Sequence, residues 1–301
     1  MEKSKVYFTQ TITSDKLVEI FKFLNKELKG NVAVKVHSGE KGNQNFLRPE
    51  FLKNIINHVN GTIVECNTAY QGQRNQTDKH LQLMKDHGWS ELFNVDIMDY
   101  EGPDLVLNIP NGKVIKTNLV GKNLANYDSM LVISHFKGHP MGGYGGAIKQ
   151  LSIGCASSDG KAWIHSGGKV SSQKEIWKNT ADQITFLEAM ADSASSIVDF
   201  FAGNIAYINI MCNMSVDCDC CAVAEDPCMK DIGILSSTDP IALDQACVDL
   251  VYQSNDPGKD HLIERIESRH GLHTLESSQA LGFGNRNYEL INIDYLSKKA
   301  L

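Results

Sequence analysis

The chain has 301 residues, with 29 Lys and Arg against 36 Asp and Glu, for a formal net charge of −7. No block of basic residues, no apolar run of membrane-spanning length and no apolar signal core at the N-terminus is found. This composition argues against a nucleic-acid surface, a membrane span or a secreted protein. The expectation is a cytoplasmic chain with reduced thiols, in which eight cysteines suggest metal or redox chemistry more than disulfides.

Strand and helix patterns alternate along the chain, so the expected fold is α/β, with mixed or parallel sheets, helices on both faces and two lobes around a central site. The chain reads as one family domain over 1–301, with tentative lobes 1–120 and 121–301. Val6 to Phe8 is a short strand. Ser14 is placed to cap a helix with Leu17, Phe21, Leu24 and Leu28 on one face, ending at Gly30. Val32 to His37 alternates as a strand, and His37 and Glu40 follow its carboxyl end. Pro49 opens a second helix, and Ile63 and Val64 form the next strand. The turn Tyr70 to Arg74 lies beyond that strand. In open α/β sheets ligands bind beyond the carboxyl ends of strands, so His37, Glu40 and Arg74 are candidate ligand contacts.

Residues 75–92 read as a helix ending near Gly88. Asp104 to Leu119 reads as a hairpin around Pro110-Asn111-Gly112. An apolar strand, Met130 to Ile133, then leads into the densest stretch of the chain, Ser134 to His165. It opens with His135, Lys137 and His139, and five glycines fall from Gly138 to Gly146. Glycines let backbone approach a ligand closely, which makes Tyr144, Gly145 and Gly146 candidate contacts. The spacing fits neither GxGxxG nor the Walker A pattern. Lys149 sits in an apolar run, and His165 follows Trp163-Ile164. From the residues alone, a snorkelling lysine and a hydrogen-bonded core histidine account for these two.

Beyond His165 a loop precedes a long helix with a buried stripe through Ile184, Leu187, Ala191, Ala194, Val198 and Phe201. Ala206 to Met211 is a strand. Five cysteines then crowd into seventeen residues: Cys212, Cys218, Cys220, Cys221 and Cys228. Thiolates suit zinc, copper(I) and iron–sulfur clusters, and Asp217, Asp219, Glu225 and Asp226 add charge that favours a cation. The spacing is neither that of a ferredoxin nor of a zinc ribbon. Ile232 to Leu235 is a strand, and Asp239 is placed to cap a helix from Pro240. Two short helices across Ile263 to Leu281 and a strand from Leu290 to Ile293 complete the pattern.

Several motifs together resemble the domain of unknown function 362 family. They are KVH with GE at Lys35 to Glu40, SHFKGH at Ser134 to His139, GGAIKQLSIGCAS at Gly145 to Ser157, VDCDC at Val216 to Cys220 and DIGILSSTDPIALDQA at Asp231 to Ala246. Many members carry an inserted ferredoxin-like segment, which this sequence lacks. Cys218 and Cys220 match the family pattern, whereas Cys212, Cys221 and Cys228 are additional.

The stretch is also similar to the cofactor segment of nickel-pincer lactate racemases. Lys149 follows His139 by ten residues and His165 follows Lys149 by sixteen, as in that pattern. The resemblance implies that Lys149 tethers a cofactor, His165 ligates its metal and His139 is an acid/base group. Gln73 stands where the racemases have a second catalytic histidine. The implied reading is a metal-cofactor-dependent isomerase or oxidoreductase for a small anionic organic ligand. His139 and His135 would be acid/base groups, with Lys137 and Arg74 orienting negative charge. The metal would be nickel, zinc or iron. The alternative is a metal- or iron–sulfur-binding protein for electron transfer or metal handling. Neither reading calls for nucleic acid or membrane, and both leave room for a homo-oligomer.

Overall fold

The computed structural model describes residues 3–102 and 104–296. Twelve strands are described in chain order: β1 (Ser4–Thr9), β2 (Val32–Lys35), β3 (Gly61–Glu65), β4 (Val95–Ile97), β5 (Leu105–Asn108), β6 (Thr117–Val120), β7 (Ser129–His135), β8 (Lys137–His139), β9 (Gly143–Gly145), β10 (Ile205–Met211), β11 (Gly233–Ser237) and β12 (Tyr288–Asn292). Eight of them form one mixed sheet in the order β12-β1-β11-β10-β7-β2-β3-β4. From β10 to β4 all neighbours are parallel, and β11 runs antiparallel to both β10 and β1. The sheet takes strands from both sides of residue 120, so no break in it falls at the expected lobe boundary.

The central strands explain themselves by composition. Every residue of β7 and β10 is buried, as expected for parallel strands covered on both faces. Alternation then sorts them. Met130 and Val132 join one apolar core with Ile148, Leu151 and Tyr207, while Leu131 and Ile133 join another with Leu52, Ile55 and Ile208. The sheet is therefore sandwiched between two helical layers.

Several expectations are revised. The first helix is Ser14–Lys22, capped by Thr13, whose side chain accepts from the Lys16 N–H at 3.3 Å. Its apolar stripe continues to Leu28, but Asn25 has φ 47°, a left-handed conformation that ends the helix early. Residues 75–92 divide into Thr77–Asp86 and Trp89–Leu92, because Gly88 takes φ 84° between them. The glycine-rich stretch after β7 is a small antiparallel hairpin, β8 with β9, before the helix Ala147–Cys155. The helix Ser158–His165 and strand β4 had no clear sequence signal. Asp239 caps Pro240–Gln253 as expected, accepting from Ile241 and Ala242 N–H at 2.9 and 3.1 Å.

Candidate functional site

The carboxyl ends of β2, β3, β7 and β10 all meet one region, and it contains a cavity of about 240 Å3. Lys35 and His37 line it from the end of β2. Glu65, Cys66, Tyr70 and Arg74 line it from the end of β3. His139, Pro140 and Met141 come from the hairpin β8–β9, and Cys220 from the loop after β10. Lys149 and Ile153 lie on Ala147–Cys155, and Lys161 and His165 on Ser158–His165. Ile176 and Trp177 complete the apolar side. The structure thus brings together His37, Arg74, His139, Lys149, His165 and Cys220, which the sequence spreads over almost two hundred positions.

The helix bearing Lys149 is held by its N-terminus. Asp244 is fully buried and accepts from the Ala147 and Ile148 N–H groups at 2.7 and 3.0 Å, and from Asn209 at 2.7 Å. A carboxylate there complements the helix dipole. Gly146 is required by this contact, since a Cβ would lie 2.4 Å from the Asp244 carboxylate. The close approach expected of Gly146 is thus to a protein carboxylate. Gly145 borders a minor void that Lys137 and Lys149 share. Tyr144 is buried and stacks on Phe136 with ring centroids 5.6 Å apart. Neither Tyr144 nor Glu40 lines the main cavity.

Buried charges around the cavity are mostly paired. Lys35 is fully buried, and its ammonium lies 2.7 Å from Glu65. Burial alone would raise the Glu65 carboxyl, but Lys35, His37 and Arg74 hold it well below its usual range. Arg74 lies 3.3 Å from Glu40 and 3.7 Å from Glu65, and donates to the Tyr70 hydroxyl at 2.7 Å. Behind the cavity, Asp219 receives Lys137 at 2.9 Å and His135 Nδ1 at 3.0 Å. The other nitrogen of His135 lies 2.6 Å from the Cys212 carbonyl. Both partners of that ring are acceptors, so both bonds are made together only by the doubly protonated imidazole. His135 and Lys137 are therefore held by Asp219, whose carboxylate is occupied by these two side chains. By contrast, the Lys149 ammonium has no hydrogen bond or ion pair among the described residues.

Three histidines reach the cavity with their tautomers set by the backbone. His139 Nδ1 accepts from the Met141 and Gly142 N–H groups at 3.1 and 2.8 Å. His37 Nδ1 accepts from the Gly39 N–H at 3.2 Å. Both rings then carry their proton on Nε2. His165 is the opposite case: its Nδ1 faces the Lys161 carbonyl at 2.8 Å, so Nδ1 bears the proton and Nε2 keeps its lone pair. Burial pushes His139 and His165 down to about 4, with Lys149 adding to the effect on both. Burial also carries His37 well below its ordinary value.

The cysteine loop is only partly gathered. His139, Cys218 and Cys220 place one ligand atom each within 4.8 Å of one another, a group able to hold a metal ion. The Cys220 N–H donates to Cys218 Sγ at 3.4 Å. Cys221 is half-buried beside Cys220, Cys212 is buried with its thiol pushed up to about 12, and Cys228 is exposed. Cys212, Cys221, Cys228 and His165 are not part of the three-residue group.

The donor set suits a soft cation. The surroundings of the histidines distinguish them further. A metal-bound histidine nearly always donates its other N–H to an acceptor. His165 meets that condition through Lys161, whereas His139 Nδ1 faces two N–H donors. The two thiols stand together beside His139, which must give up its backbone bonds to ligate through Nε2, whereas His165 has a ligand-ready Nε2 but lies outside that group. Lys35, Glu65, Cys66 and Lys161 escaped sequence reasoning. For Lys161 the one available signal was its position four residues before His165.

Residues 32–249 match the family described as "Domain of unknown function (DUF362)". The chain belongs to this family. No curated protein matches it. Among solved structures, it is similar to the lactate racemase apoprotein from Thermoanaerobacterium thermosaccharolyticum, at 12% identity and a TM-score of 0.48. That match covers 81% of this chain and 56% of the other. A Thermotoga maritima protein matches at 9% identity and a TM-score of 0.40, covering 89% of this chain and 58% of the other. The chain thus spans little more than half the length of either structure, and likeness at this level carries no argument about chemistry. Among the described residues no helix is long and apolar enough to cross a membrane.

Proposed function

We propose that this family member is an enzyme that uses a bound metal or metal cofactor to transform a small anionic organic substrate in the cavity. The observation that carries this reading is the Lys149 ammonium, which borders the cavity without a protein partner. A partly buried, unpaired cation is costly, and an anionic ligand removes that cost. Sequence reasoning gave the anion to Lys137 and Arg74. Both have protein carboxylates, so in this proposal the anion passes to Lys149. His139, with its proton on Nε2, is suited to donate a hydrogen bond to substrate. His37 offers the same group from the rim. His165, with a free Nε2 lone pair, would hold the metal or the metal of a cofactor, which leaves Lys149 to the substrate anion. A metal there would supply Lewis-acid or redox chemistry beside the substrate.

Thermal unfolding with simple carboxylates tests this reading, because a ligand of the folded state raises Tm. A gain is expected with acetate or butyrate that is absent with their amides, and that largely disappears in Lys149→Met. Stabilisation by neutral or cationic compounds alone would contradict it.

A second reading rests on the His139, Cys218 and Cys220 group: a metal- or iron–sulfur-binding protein for electron transfer or metal handling. Anaerobically purified protein with visible thiolate-to-metal absorbance, and no stabilisation by anions, would favour it.

A further inference from the structure

The buried and half-buried lysines around the site fall into two kinds. Lys35 and Lys137 each have a carboxylate, at 2.7 and 2.9 Å. Lys149 and Lys161 have none within 4.0 Å among the described residues. Lys161 is only 7% exposed, and its ammonium donates to the Ala156 carbonyl at 2.6 Å. A carbonyl satisfies one of three N–H groups and none of the charge. Asp99 and Glu65 act on Lys161 from further away, but Asp99 already accepts from the Asn67 and Ser158 N–H groups and Glu65 is paired with Lys35. Burial accordingly lowers the Lys161 ammonium from its ordinary value.

Lys149 and Lys161 stand on consecutive helices, Ala147–Cys155 and Ser158–His165, and both line the same cavity. Both also act on the His165 ring. The cavity wall therefore carries two cations without carboxylate partners. The rest of the lining is largely apolar and includes Met141, Ile153, Ile176 and Trp177. The cavity volume is about 240 Å3.

We propose that the cavity takes a small dicarboxylate, one carboxylate at Lys149 and the other at Lys161, with its carbon chain against the apolar lining. This rests on the anionic-substrate reading above and adds the second charge and the chain between. One carboxylate would leave one buried cation unmatched. Two carboxylates match both.

Calorimetric titration at neutral pH with succinate, glutarate and adipate, set against butyrate, tests the assignment. At least one dicarboxylate should bind roughly tenfold or more tightly than butyrate. In Lys161→Met that preference should shrink to about onefold while butyrate binding is unchanged. Lys161→Arg should restore it, which separates charge from folding. If butyrate binds and no dicarboxylate exceeds it, the dicarboxylate proposal falls and the anionic reading stands. A preference that persists in a folded Lys161→Met also overturns the proposal. If no carboxylate binds at all, both fall together.

Discussion

His165 donates from Nδ1 to the backbone carbonyl of Lys161 at 2.8 Å, one turn back on its own helix. That bond determines which nitrogen of His165 can act. In His139 the equivalent nitrogen is an acceptor, occupied by the Met141 and Gly142 N–H groups. Two histidines of one cavity are thus given opposite faces by local backbone, before any ligand arrives.

Nitrogen-detected NMR should show this directly. His139 is expected as the Nε2–H tautomer and His165 as the Nδ1–H tautomer at neutral pH. Both rings should stay neutral on acidification until about pH 4. A His165 that titrates near the ordinary value of about 6.5 would contradict the burial on which its role depends.

The Lys35–Glu65 pair sets a pH dependence of stability. Glu65 is held below its unfolded value, so its contribution is fully present above an unfolded value of about 4.3 and is lost as pH falls through the folded value. Chemical denaturation from pH 7 downward should show this loss, and Glu65→Gln should flatten it. The same substitution leaves Lys35 buried without a counter-charge and should cost about 3–5 kcal/mol at neutral pH. A variant as stable as the parent would contradict the pairing.

Gly146→Ala should be destabilising although the residue precedes a helix. The added Cβ would meet the Asp244 carboxylate at 2.4 Å, and forcing it in should cost about 1–3 kcal/mol. An unchanged denaturation midpoint would mean that Asp244 does not hold this helix start.

The proposed function assigns metal to the Cys218 and Cys220 thiols and, separately, to His165. Anaerobic protein should lose metal in the Cys218→Ser, Cys220→Ser double variant and in His165→Ala, with the fold kept in each. Cys228→Ser should retain it, since Cys228 is exposed and outside the group of potential ligands. Metal content unaffected by both the double variant and His165→Ala would remove the metal from the proposed site.

The alternation of elements was legible because β7 and β10 carry the apolar runs Met130–Ile133 and Ile205–Ile208, and their connections carry amphipathic helices. The neighbourhood of His37, Arg74, His139 and Lys149 was legible too, since each follows a strand end or starts the next helix. What sequence concealed is pairing. Nothing in Asp219, among the cysteines, signals that it serves His135 and Lys137 rather than a cation from solution. Lys35 looks like one polar position in a strand, yet it is fully buried because Glu65 stands at the end of the neighbouring strand. Lys161 carries no motif of its own, and its importance comes from having no carboxylate where its neighbours do. Such facts depend on which strands lie side by side, which local periodicity does not encode.

The central claim is an anion held at Lys149 inside the cavity. The most direct measurement is a crystal structure with bromobenzoate, its bromine located by anomalous scattering. The account predicts a bromine peak in the cavity among Met141, Ile153 and Trp177, with the carboxylate on the Lys149 ammonium, and no peak there in Lys149→Met. A peak only at other surfaces, or an equal cavity peak in Lys149→Met, would contradict it.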